Sequence, residues 1–187
     1  MDKYVKLIWI NRKKKSNLKR KDIISVKTQY LNTIETYSNK LAIGARDLNF
    51  SIYDLNQCKN LFTAKDYKRD DLNLKQKVDI KGIKRVDDDV YYTLSAYNKL
   101  YNYDIRQQRK EVNEIDLQLE DEFTTTCFDF KDTYLVVCNN IGSINLFDTR
   151  KSNVVLKKFT EHYGSVKDIQ FHETDNKFVT GKLNSVS

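Results

Sequence analysis

Apolar and polar residues alternate along most of this chain in short runs, separated by clusters of Gly, Asn, Asp and Ser. Leu41–Leu55 (LAIGARDLNFSIYDL) alternates, breaks and alternates again, and so do Tyr91–Ile105 (YYTLSAYNKLYNYDI) and Tyr134–Arg150 (YLVVCNNIGSINLFDTR). Period-two alternation around turn residues predicts three β-hairpins. The turns GARDLN, SAYNK and CNNIGS carry the Gly, Asn and Asp that a positive φ favours. Each hairpin is flanked by two further runs. VDIKGIKRV, TTTCFDF and SVKDIQF read as strands ahead of a hairpin, and KNLFTA, EVNEIDL and NVVLKKF as strands after one. Glu111–Phe123 could be read as helical. Alternation of Val112, Ile115, Leu117 and Leu119 instead predicts a strand, at least from Ile115 on, and no helix of three turns is expected anywhere.

The hairpins end alike: Tyr53-Asp54, Tyr103-Asp104 and Phe147-Asp148, spaced 50 and then 44 residues apart. Four strands repeated at about 40–50 residues are the signature of a β-propeller blade. The expected fold is all-β, with blades over 29–63, 76–117 and 123–159 and a partial one over 165–187. Three and a half blades leave two open sheet edges, so the chain is expected to be part of a longer propeller. The arrangement resembles WD-repeat proteins, in which an aromatic ends the third strand and packs between blades while an Asp opens the next turn. Tyr53, Tyr103 and Phe147 are therefore expected in the core, and Asp54, Asp104 and Asp148 in turns. His162 resembles the Gly-His position ahead of a blade's first strand, a structural role.

Charge divides the chain. Residues 1–27 hold ten Lys/Arg against two Asp, a net +8, which leaves the other residues near neutrality at −1. Segment 1–28 reads as a basic N-terminal arm, solvated and partly disordered, within which Tyr4–Ile10 could supply one extra strand. Arg12, Lys13, Lys14 and Lys15 in it suit nuclear targeting or RNA phosphate contact. Cys58, Cys127 and Cys138 form no CxxC pair, which argues against a disulfide framework or a zinc site. No apolar run is long enough to span a membrane. A phosphate loop, GxSxG and HExxH are all absent from the sequence, and its only histidines are His162 and His172. The expectation is a binding protein with no catalysis, cofactor or small-molecule substrate.

Leu61–Leu74 (LFTAKDYKRDDLNL) carries more charge than a connection needs. Its apolar residues suggest that Leu61 and Phe62 pack and that Leu72 and Leu74 pin its far end. Phe62-x-Ala64-Lys65-x-x-Lys68-x-Asp70-x-Leu72-x-Leu74 resembles a Phe-Arg-Ala-Lys-Asn-x-Arg-Asn-Asp-Trp-Leu-Asp-Leu segment of the WD repeat-containing protein 74 family. Tyr103–Val112 (YDIRQQRKEV) is similar to that family's Tyr-Asp-x-x-x-Gln-Arg-Arg-Pro-Val, and Tyr163–His172 (YGSVKDIQFH) to its Gly-Ser-Val-Arg-x-Leu-Gln-x-His. The likeness covers about residues 30–187. It departs at Thr63, Asp71 and Glu111, where the family has Arg, Trp and Pro. The resemblance implies a nucleolar factor that docks on precursors of the large ribosomal subunit, acts in rRNA processing and is removed by a nuclear AAA ATPase. Lys65, Lys68 and Arg69, with Arg106, Arg109 and Lys110, are expected on one rim that meets rRNA or an acidic assembly factor. A substrate adaptor, for example of a ubiquitin ligase, and an RNA-binding module driven by the basic arm are the competing readings.

Overall fold

The computed structural model describes residues 5–10, 20–28, 30–68, 72–117, 125–151, 154–160, 164–172, 174–175 and 177–182. Arg12–Lys15, Arg69, Asp70, Asp71 and His162 lie outside them. The described residues form β-strands and one 3₁₀ turn, Thr149–Lys151. β1 (Val5–Ile10) pairs with β2 (Arg20–Val26) inside the basic segment. Three antiparallel four-stranded sheets follow in plain meander order: β3–β6 (Leu31–Tyr37, Lys40–Ala45, Leu48–Asp54, Lys59–Thr63); β7–β10 (Ile80–Asp87, Val90–Ser95, Lys99–Asp104, Asn113–Asp116); and β11–β14 (Thr125–Lys131, Tyr134–Asn139, Ile144–Asp148, Val155–Phe159). A last pair, β15 (Val166–Phe171) and β16 (Phe178–Lys182), completes the order. The first strands of successive sheets, β3, β7, β11 and β15, pack beside one another. This is the inner wall of a propeller.

Local chemistry fixes the repeat. Each middle hairpin turns through a residue at positive φ: Asp47 at 59°, Asn98 at 59° and Gly142 at 97°. Asn, Asp and Gly tolerate that region best. Each first strand carries a bulge at the same place, between Leu31 and Thr33, Ile80 and Gly82, Thr125 and Cys127, and Val166 and Asp168. A bulge re-aims the strand that bears it. At Gly82 the next blade comes very close, since a methyl group there would stand 2.8 Å from the Phe128 ring.

The core lies between blades. Phe50, Ile52, Ile80, Ile83, Tyr101 and Tyr103 fill the first complete junction; Leu94, Leu100, Phe128, Val137 and Phe147 fill the second. Each aromatic before an Asp points toward the preceding blade. Tyr103 and Phe147 are buried there, and full burial of such a side chain contributes roughly 1.5–3 kcal/mol. Tyr53 stays half-buried because only β1 and β2 stand on its side.

The basic segment thus contributes a half-blade. Ile24 and Val26 of β2 are buried against Leu41 and Ile43. Ile115 and Leu117, of and just after β10, meet Leu135 and Val137 in the same way. β2 therefore occupies a fourth-strand position and β1 a third, whereas β15 and β16 are a first and a second. Three of the leucines expected in packing are instead exposed: Leu61 (51%), Leu72 (79%) and Leu74 (61%). Leu61 sits on an outermost strand with no sheet beyond it. Tyr67, not the leucines, anchors the crossover.

Candidate partner-binding rim

The crossover that leaves β6 is tied by backbone to the first blade and to the second. Ala64 N–H donates to Phe50 O at 2.8 Å, and Lys65 N–H donates to Arg109 O at 2.7 Å. Arg109 Nε returns a bond to Thr63 O at 2.7 Å. Below this clip Tyr67 stacks on Tyr101, with centroids 4.3 Å apart and planes 14° apart. The segment is thereby fixed without contributing a strand of its own.

Its charges sort by direction. Asp66 turns back to the first blade, where Asn49 Nδ2 and Lys75 Nζ each approach at 2.9 Å. The hydrogen bonds from Lys75 and Asn49 hold its carboxyl below the usual range. Glu111 is buried, with Lys68 Nζ 3.8 Å from its Oε1. Lys65, Lys68, Arg109 and Lys110 remain exposed at the surface. Glu111 is buried and Asp66, though exposed, is ion-paired with Lys75, so among the described residues Lys65, Lys68, Arg109 and Lys110 make the exposed edge of the clip positive.

Arg106 does not join this group. Its Nε and Nη2 each lie 3.0 Å from the Asp104 carboxylate, and Asp89 stands at 3.9 Å. A bidentate guanidinium–carboxylate pair of this kind fixes the turn after β9. Arg150 does the same with Asp148. Asp54 accepts the backbone N–H groups of Asn56 and Gln57 instead. All three Asp side chains therefore close turns.

A second polar feature has no counterpart in the sequence reading. The inner strands line a cleft of about 450 Å³ that includes Asn32, Lys81, Lys84, Thr126, Lys167 and Asp168. Two of its lysines are paired, Lys81 with Asp79 at 3.1 Å and Lys84 with Asp129 at 3.3 Å. Burial pushes Glu35 beside it up, with Lys84 and Arg85 pulling the other way. Lysine on each of the first strands β7 and β15 was the signal available. It was legible only once those strands were known to converge. No group of His, Cys, Asp and Glu able to hold a metal ion occurs among the described residues.

No family model matches the chain. A WD repeat-containing protein of Dictyostelium discoideum is 30% identical over 143 residues, covering 73% of this chain and 27% of the relative. The chain thus spans about a quarter of the length of that relative. Among solved structures, the WD40 β-propeller domain of Doa1 superposes with a TM-score of 0.64 at 14% identity, over 86% of this chain and 50% of that one. A chain of the mitotic checkpoint complex gives 0.65 at 15% identity, over 86% and 48%. The computationally designed Ika8 protein gives 0.57 at 17%, over 81% and 42%. At these identities the structural likeness shows the fold. Four-stranded blades, aromatic–Asp strand ends and these structural neighbours together show a β-propeller fold of the WD-repeat type, and in sequence the chain is similar to a WD repeat-containing protein.

Proposed function

We propose that this chain is a non-catalytic docking module that joins precursors of the large ribosomal subunit in the nucleolus, and that its positive rim meets rRNA phosphate or an acidic assembly factor there. The observation that carries the reading is the clip itself. Lys65 and Arg109 are held side by side by one backbone hydrogen bond and one from the Arg109 guanidinium to Thr63 O, with Glu111 buried and Asp66 paired with Lys75. Exposed ion pairs add only about 0–1 kcal/mol to stability, so folding alone does not call for such a surface. A rigid positive edge does favour association with phosphate-rich partners. The sequence resemblance to large-subunit assembly factors runs through the same segment, at Ala64, Lys65 and Lys68. Release from the particle by a nuclear AAA ATPase belongs to the same reading.

Affinity purification of the tagged chain with mass spectrometry, joined to gradient sedimentation, tests it. Large-subunit assembly factors should be in the eluate, and the chain should co-sediment with large-subunit precursors even without residues 1–27. Lys65→Glu with Lys68→Glu should reduce that association several-fold at unchanged circular dichroism. An eluate lacking such factors, or association indifferent to the reversal, rejects the proposal. Binding abolished by loss of residues 1–27 alone points to the arm instead.

A further inference from the structure

Cys127 and Cys138 match no CxxC pattern, yet the fold sets them face to face. Cys127 of β11 and Cys138 of β12 are direct partners across the antiparallel ladder. The bulge between Thr125 and Cys127 makes them so. A regular ladder continued from the Thr125–Asn139 pair would have set Thr126 against Cys138. Both cysteines belong to one buried cluster, with Val136, Ile144, Val166 and Ile169, so their side chains share a face of the third complete blade. Directly opposite residues of an antiparallel pair stand about 4.5–5.5 Å apart at Cα, within the roughly 4.4–6.8 Å that a disulfide spans. Both are free thiols.

The two sulfurs are not equivalent. Cys127 is 8% exposed and borders the cleft between the inner strands, whereas Cys138 is 1% exposed. Cys127 Sγ donates to Val166 O at 3.9 Å, and the Thr126 hydroxyl stands 3.9 Å from the same sulfur. Hydrogen bonding between the two thiols holds Cys127 below the usual thiol range and pushes Cys138 above it, and burial pushes Cys138 further up. The thiolate is the reacting form of cysteine, so Cys127 is the sulfur that a small oxidant meets first. The third cysteine, Cys58, lies between β5 and β6, in a blade that holds no second cysteine.

We propose that Cys127 and Cys138 form an oxidative modification site that a hydroperoxide closes into a reversible disulfide, Cys127 attacking and Cys138 resolving. The Cys127 thiolate attacks one oxygen of the hydroperoxide, and the O–O bond breaks. Cys127 becomes a sulfenic acid, and the departing oxygen takes up the thiol proton to leave as water or an alcohol. Cys138 Sγ then attacks the Cys127 sulfur. The S–S bond forms, the S–O bond breaks, and hydroxide leaves with the Cys138 proton as water. Two thiols lose two electrons and the hydroperoxide gains them. A dithiol reductant reverses the bond by exchange. Such a pair suits a reducing compartment, where disulfides are transient and redox-sensing. Oxidation gives up the Cys127 bond to Val166 O, but the Thr126 hydroxyl donates to that carbonyl at 2.7 Å, so the junction with β15 stays closed. The site is separate from the rim on the crossover and does not rest on its reading.

The test is thiol counting and disulfide mapping on the folded full chain treated with hydrogen peroxide. One equivalent should lower the number of titratable thiols from three to one, with circular dichroism unchanged. Mass spectrometry after alkylation should find Cys127 linked to Cys138 within one chain and Cys58 alkylated. Dithiothreitol should restore all three thiols. Cys138→Ser should leave Cys127 as a sulfenic acid that dimedone captures, whereas Cys127→Ser should leave Cys138 unmodified. The wild-type mapping decides the matter even where a serine variant folds poorly. A thiol count that stays at three overturns the proposal and makes the pair inert core. Links that involve Cys58 in the folded chain, or a Cys127 sulfenic acid that never closes on Cys138 in the wild type, overturn it as well.

Discussion

At the scale of single residues, the repeated Asp is where sequence and structure agree most closely, and its chemistry is specific enough to titrate. Asp104 accepts the Arg106 backbone N–H at 3.0 Å, the Arg106 guanidinium at 3.0 Å and the Gln107 amide at 2.9 Å. The Arg106 side chain, followed by its backbone N–H, holds the Asp104 carboxyl down to about 2, from an ordinary 3.8. A folded pKa below the unfolded one means that folding favours the ionised form. The contribution is therefore complete above about pH 4 and disappears as pH falls toward about 2. Asp104→Asn should melt below the wild type at pH 7, and the difference should close between pH 4 and pH 2. A gap in melting temperature that stays constant across that range would falsify the turn-closing role of the charge.

At the scale of the element, the crossover after β6 shows what a hydrophobic pattern reveals and what it hides. Tyr67 is 6% exposed and stacked on Tyr101, and its hydroxyl is buried with no hydrogen-bond partner among the described residues. Burial pushes its pKa up, so it is a neutral phenol at any ordinary pH. The ring and the hydroxyl should therefore act in opposite directions. Tyr67→Ala should cost about 3–5 kcal/mol through the lost ring and the cavity left behind. Tyr67→Phe should be neutral or stabilising by about 1 kcal/mol, because it removes an unsatisfied buried group. Urea midpoints for the two variants check both signs, and a Phe variant as damaged as the Ala variant would show that the hydroxyl is satisfied. Blades were legible in the sequence because each repeats a strand–turn–strand pattern with its aromatic and Asp in fixed places. The crossover was not, because it has no period. Leu61, Leu72 and Leu74 looked like anchors by composition, whereas Tyr67, set among Asp66, Lys68 and Arg69, looked like surface. β2 was hidden for a related reason. Only Ile23, Ile24 and Val26 in it are apolar, and they follow a run of basic residues. The rim was legible only in part. Lys65 and Arg109 meet through a backbone clip 44 residues apart in sequence. Arg106, three residues before Arg109, is claimed by the Asp beside it.

At the scale of the whole molecule, stability should be graded along the array of blades. Blades touch mainly their neighbours, so each gains from the junction on either side, as in repeat proteins. The second complete blade has a complete neighbour on both sides, and its Tyr91, Leu94, Leu100, Tyr101 and Tyr103 are all buried to within 1%. The third has a complete neighbour on one side and only β15–β16 on the other, and its outer strand β14 exposes Val155 and Leu156. The half-blade β15–β16 follows, with Val179 open to solvent. Local opening is easiest where few apolar contacts must be broken. Native-state hydrogen exchange of the dilute chain should therefore be slowest in β8 and β9, faster in β14 and fastest in β16. Equal protection in β8 and β16 at low concentration would mean that the junctions do not set local stability.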